Sequence, residues 1–173
     1  YKMLKKKQEV SIQHMFRHAC AFVDCATACE IEPSHIKPRT ASHLTANMVN
    51  SALACEIFLK ALLVSYGTNL SELQDEHRLK ELWKRYRKKD KYMARKIEKS
   101  INRWFRTKNN TLFYKFLKES SSVFVNWRYI YEFDGAEINS HFLRGFRSIL
   151  REVCCQRVYR KSWETYVDEF PND

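Results

Sequence analysis

The chain has 173 residues, 45% apolar and 14% aromatic, with 31 Lys or Arg against 20 Asp or Glu for a net charge of +11. That supplies a sizeable core and excludes a globally disordered chain, while three Gly and three Pro are too few for a turn-dense all-β architecture. No window of 18 uncharged apolar residues occurs, which argues against a membrane span.

In chain order, residues 3–29 read as a first helix, because Ile12, Met15, Phe16, Ala19, Phe22, Val23 and Ala26 recur at three- and four-residue steps. Its start, Tyr1-Lys2-Met3-Leu4-Lys5-Lys6-Lys7, is basic and runs into an amphipathic stretch with His14, Arg17 and His18, unlike the apolar centre of a signal peptide. Pro33 ends that helix and, with Pro38, defines a loop over 30–39. Thr40 or Ser42 can cap a second helix, on which Leu44, Met48, Ala52, Cys55, Leu59 and Leu62 form a stripe. Val49, Leu53 and Leu63 widen that stripe to about half the circumference, as expected of a helix in the middle of a domain. Gly67 suits the position just past its end.

A polar connection over 68–76 leads to a third helix carrying Leu79, Leu82, Trp83 and Tyr86. Residues 87–91 read as a break or a highly solvated stretch, after which Met93, Ile97, Ile101 and Trp104 resume the helical period. Residues 108–110 form a turn. A helix over 111–133 and a last long helix over 140–160 follow, then a tail with weak periodicity. The expectation is an all-α, up-and-down bundle of about five helices making a single domain over residues 1–173.

Charge is strongly localised. Residues 78–108 hold 14 Lys/Arg against Glu81, Asp90 and Glu98, so this segment equals the net charge of the whole chain and the remainder is neutral. Lys84, Arg85, Arg87, Lys88, Lys89 and Lys91 form a dense run, extended by Arg95, Lys96, Lys99, Arg103 and Arg106. Trp83, Tyr86, Tyr92, Trp104 and Phe105 are interleaved. Cations neutralise phosphates and exposed aromatics stack on bases, so the segment is a candidate surface for RNA or DNA. The alternatives are a solvated face or a dock for an acidic protein. Trp83 and Tyr86 share a face with Leu79 and Leu82 and are expected inside.

Glu56 projects into the apolar arc between Val49 and Leu63, one turn before Lys60, and Arg128 precedes Glu132 by one turn. A buried carboxylate needs a partner, so these read as internal salt bridges or as a polar cleft that binds a phosphate, with His77 as acid or base. His14, His18, Cys25 and Cys29 share one face of the first helix. The two pairs lie about 10 Å apart along the axis, so one ion cannot take all four. No metal and no cofactor is expected: there is no Gly-rich phosphate loop, HExxH or Ser/His/Asp arrangement. None of the six cysteines forms a CxxC pair, and without a secretion signal they read as reduced thiols in a cytoplasmic protein.

Three segments, taken in order, resemble the HEPN family (higher eukaryote and prokaryote nucleotide-binding domain). They are Ala52-Leu53-Ala54-Cys55-Glu56-Ile57-Phe58-Leu59-Lys60-Ala61-Leu62-Leu63 with Gly67, His77-Arg78-Leu79-Lys80-Glu81-Leu82, and Trp127-Arg128-Tyr129-Ile130-Tyr131-Glu132. The resemblance covers about residues 44–150 and implies a bundle of four or five helices, usually dimeric, often a metal-independent ribonuclease using Arg-x(4–6)-His. That motif is absent: no histidine has an Arg five to seven positions before it. The resemblance to a divergent member therefore implies an RNA- or nucleic-acid-binding module, in a prokaryotic defence or toxin–antitoxin setting. The alternatives are a divergent ribonuclease using Arg128, Glu132 and His77, or a scaffold for an acidic or nucleotidyltransferase-type partner.

Overall fold

The computed structural model describes residues 11–30, 42–121 and 139–170. Within them every regular element is a helix. There are seven α-helices: α1 (Ile12–Ala28), α2 (Ser42–Ser65), α3 (Leu79–Lys89), α4 (Lys91–Trp104), α5 (Thr111–Ser120), α6 (Ser140–Tyr159) and α7 (Trp163–Glu169), with a 3₁₀ turn at Leu70–Glu72. The all-α class follows. The 111–133 helix is seen as far as Ser120, and its remainder, with Arg128 and Glu132, lies outside the described residues, as does most of the 30–39 loop.

α1 begins at Ile12, and residues 3–10 of the expected first helix lie outside the described residues. Ser11 has extended backbone (φ −68°, ψ 118°) and its side chain accepts from the His14 N–H at 3.3 Å, so the first turn is capped there. The expected stripe is the buried one: Phe16, Ala19, Val23 and Ala26 face inward.

α2 is the centre of the bundle and packs against α1, α3 and α6. This explains its apolar breadth, since no side of it is reserved for solvent over most of its length. By length and composition it could cross a membrane: an 18-residue window within His43–Ser65 has a mean hydropathy of 1.6, but 67% of that window is buried in the bundle. It ends in a Schellman motif. The Thr68 N–H donates to the Leu63 carbonyl at 3.1 Å and the Gly67 N–H to Val64 at 2.9 Å, with Gly67 at φ +81°.

The 78–108 segment is two helices sharing one non-helical residue. Asp90 (φ −137°, ψ 84°) closes α3 and caps α4, where its Oδ1 accepts from the Met93 N–H at 2.8 Å. Its Oδ2 accepts from the Tyr66 hydroxyl at 2.6 Å, and Arg157 of α6 lies 4.1 Å over the Tyr66 ring. The break is therefore tied to the end of α2 and to α6. α4 ends in the same type of motif as α2, with Thr107 N–H donating to Asn102 and Arg106 N–H to Arg103, but a non-glycine, Arg106, holds the left-handed position (φ 52°).

Aromatic rings join the layers. Trp83 of α3 contacts Phe113 of α5 (5.1 Å) and Phe146 of α6 (5.6 Å). Phe16 of α1 meets Tyr159, Trp163 and Tyr166. The weakly periodic tail is thus a real helix, α7, capped by Ser162, whose side chain accepts from the Thr165 N–H. Full burial of each such ring contributes roughly 1.5–3 kcal/mol before entropy is counted. Gly145 on α6 permits a close approach: a Cβ there would sit 3.0 Å from the Trp104 indole.

Candidate nucleic-acid interface

The eleven cations singled out between residues 84 and 106 are all exposed, and Trp83 and Tyr86 are buried as expected. The cations do not form one uniform patch. Arg87 donates through Nε to Glu98 Oε1 at 3.1 Å, Arg85 donates to the Glu72 carbonyl, and Lys84 sits 3.7 Å from Glu81. Lys96 lies over the Tyr92 ring and lines a groove between α4 and α6. Lys88, Lys89, Lys91, Arg95, Lys99, Arg103 and Arg106 form no ion pair among the described residues.

Two adjoining pockets organise the surface. The first, about 300 Å³, has Trp83, Tyr114 and Leu117 as its apolar wall. Lys80, Lys84, Arg87, Lys88 and Lys91 surround it, and none of the described lining residues is acidic. The second, about 350 Å³, is polar: Glu98, Asn102 and Asn110 sit among Arg87, Arg95, Lys99 and Lys108. Arg87 lines both. Lys80 and Lys108 join the surface, although neither belongs to the set that sequence density marked. Lys89, Arg103 and Arg106 line neither pocket.

Glu98 organises the boundary. It is 1% exposed and accepts three hydrogen bonds: Oε1 from Arg87 and from the Tyr114 hydroxyl (2.7 Å), Oε2 from Asn110 Nδ2 (2.9 Å). Asn110 Oδ1 in turn accepts from Asn102 Nδ2, whose own Oδ1 has no partner. Burial, then the bond to the Glu98 carboxylate, raise the Tyr114 phenol above its ordinary value. The Trp83 indole N–H lies near the Tyr114 side chain but closes no hydrogen bond. Charge counting along the sequence hides this network, because it treats Glu98 only as one of three acids in a basic run. Its signal was positional: Ala94, Ile97 and Ile101 place Glu98 and Asn102 on the core side of α4.

The polar set proposed around Glu56 does assemble in part. Glu56, 4% exposed, accepts from Lys60 Nζ at 2.8 Å, and His77 Nδ1 lies 2.9 Å from the same Oε1. Glu56 Oε2 has no hydrogen bond. Arg128 and Glu132 lie outside the described residues. A third buried set was not foreseen. Arg147 of α6, 2% exposed, donates to Ser51 of α2, to Thr27 Oγ1 of α1 and to Glu30, which also accepts from Asn47 and pairs with Arg144. It ties three helices together and opens onto no described pocket.

His14 and His18 stack on the exposed face of α1 with ring centroids 6.0 Å apart, and Cys25 is exposed one helical turn before half-buried Cys29. All six cysteines are free thiols. Among the described residues, no three His, Cys, Asp or Glu side chains converge as metal ligands would. No family model, curated protein or solved structure matches the chain.

Proposed function

We propose that this chain is a HEPN-like helical module that binds RNA, or another nucleic acid, through the α3–α4–α5 surface. The observation that carries the reading is the grouping of Lys88, Lys91, Arg95 and Lys99, free of ion pairs, with Lys80, Lys84 and Lys108 around two adjoining pockets. Cations at that density attract a polyanion and release its counterions on contact. The test is affinity for a single-stranded RNA oligomer as a function of salt. The expected result is an affinity that falls steeply with salt, and a slope that flattens by about one unit for each phosphate-contacting lysine removed. No binding at low salt, or a slope unchanged by Lys88→Glu with Lys91→Glu, refutes it. Dimerisation and a prokaryotic defence or toxin–antitoxin role come with the HEPN resemblance and belong to the same proposal. Sedimentation tests the dimer.

The contact between His77 and buried Glu56 favours a second reading, a divergent metal-independent ribonuclease. RNA cleavage that is abolished by His77→Ala and by Arg128→Ala supports it, and cleavage that survives both rejects it.

A further inference from the structure

We propose that the pocket at Trp83 and Tyr114 receives one nucleobase of a single-stranded polynucleotide, with the strand's phosphates running over the cations of the neighbouring pocket at Asn102. This rests on the nucleic-acid reading above and adds to it a defined base-binding site.

Three observations converge. The pocket is apolar and carries aromatic rings on its wall, which suits the face of a base. It is bounded by five cations and by no acidic side chain among the described residues, which suits an apolar group carried on an anion rather than a lipid tail or an apolar peptide. One of those rings is accessible: Tyr114 is 39% exposed, so a base can stack against it, whereas Trp83 is 1% exposed and only backs the pocket.

The second pocket supplies the continuation. Arg95, Lys99 and Lys108 stand around it, and its one carboxylate, Glu98, is already occupied by Arg87, Tyr114 and Asn110. Because Arg87 lines both pockets, a strand can pass from one to the other without leaving positive potential. Tyr92 is 67% exposed but sits under Lys96, and Trp104 is seated on Gly145, so neither belongs to the pocket wall.

The experiment compares a single-stranded RNA decamer with an oligomer of equal length and charge in which every nucleoside is abasic. The unmodified protein is expected to prefer the intact decamer by roughly tenfold or more, the contribution of one stacked base. Tyr114→Ala and, independently, Lys84→Trp, an exposed position from which an indole can plug the pocket, are expected to erase that preference. Tyr114→Phe is expected to retain it. Equal binding of the two oligomers, each still salt-sensitive, overturns the base pocket and leaves the basic-surface reading standing. Binding of neither overturns both. A preference that survives both Tyr114→Ala and Lys84→Trp places the base elsewhere and overturns the proposal.

Discussion

Replacing Glu98 by Gln separates two costs that are usually merged. Glu98 accepts from Arg87 and Tyr114 on one oxygen and from Asn110 on the other. Gln can keep its carbonyl toward Arg87 and Tyr114, but its amide then faces the Asn110 amide, donor against donor. The surroundings provide an escape. If Asn110 turns over, its oxygen accepts from Gln and its amide points at Asn102, and Asn102 can turn in the same way because its Oδ1 has no partner to lose. Every hydrogen bond is then remade, and only the charge assistance is lost. Arg87 is half exposed, so its share of that loss is small, and the total is about 1 kcal/mol. Glu98→Ala removes three acceptor contacts beneath partly buried donors and opens a void, for about 3–4 kcal/mol. Urea denaturation followed by circular dichroism measures both. In a chain of this size 1 kcal/mol corresponds to roughly 2–4 °C in Tm. Combining Glu98→Gln with Asn102→Leu blocks the relay and is expected to cost more than the separate effects added together. A Glu98→Gln loss as large as that of Glu98→Ala refutes the relay.

Asp90→Ala removes the α4 cap and strands the Tyr66 hydroxyl, and is expected to lower unfolding free energy by about 1–2 kcal/mol in the same assay. The two Schellman ends make a matched pair: Gly67→Ala places a side chain at φ +81° and costs about 1 kcal/mol, whereas Arg106→Gly relieves φ 52° and gains a similar amount. With a thiol reagent at neutral pH, exposed Cys25 is expected to react first, and buried Cys55 and Cys154 only on the timescale of unfolding. Burial raises the Cys20 thiol from 9.0 to about 12 and Cys155 to about 11. Above pH 9 the unfolded chain therefore loses protons that the folded chain keeps, and stability is expected to fall as pH rises from 9 toward 12. A urea midpoint unchanged between pH 8 and pH 10.5 contradicts this.

Features that depend on one helix at a time were legible. The stripe of α1, the breadth of α2, the Gly67 stop, the inward face of Trp83 and Tyr86, and the Glu56–Lys60 pair each follow from spacing within one element. What escaped depends on the direction in which helices turn relative to one another. Arg87 and Glu98 are eleven residues apart and meet only because Asp90 folds α4 back against α3. Lys108 reaches the second pocket because a left-handed residue closes α4. Arg147 could have been flagged, since Leu143, Phe146 and Leu150 surround its position on α6, but its partners on α1 and α2 could not. α7 is too short to show a period and is held by its cap and the Phe16 ring.

The central position of α2 sets an order on how the chain can be assembled. A helix covered on several sides cannot be covered until its neighbours exist, and α6 begins about 75 residues after α2 ends. At translation rates of roughly 5–20 residues per second, that leaves α2 without its α6 cover for roughly 4–15 s after it is made. In that interval its 18-residue apolar window is open to membranes, chaperones and other nascent chains. The same breadth that makes α2 the centre of the finished bundle leaves it vulnerable during synthesis, and among the described helices that pack on it α1 alone is already made when α2 emerges.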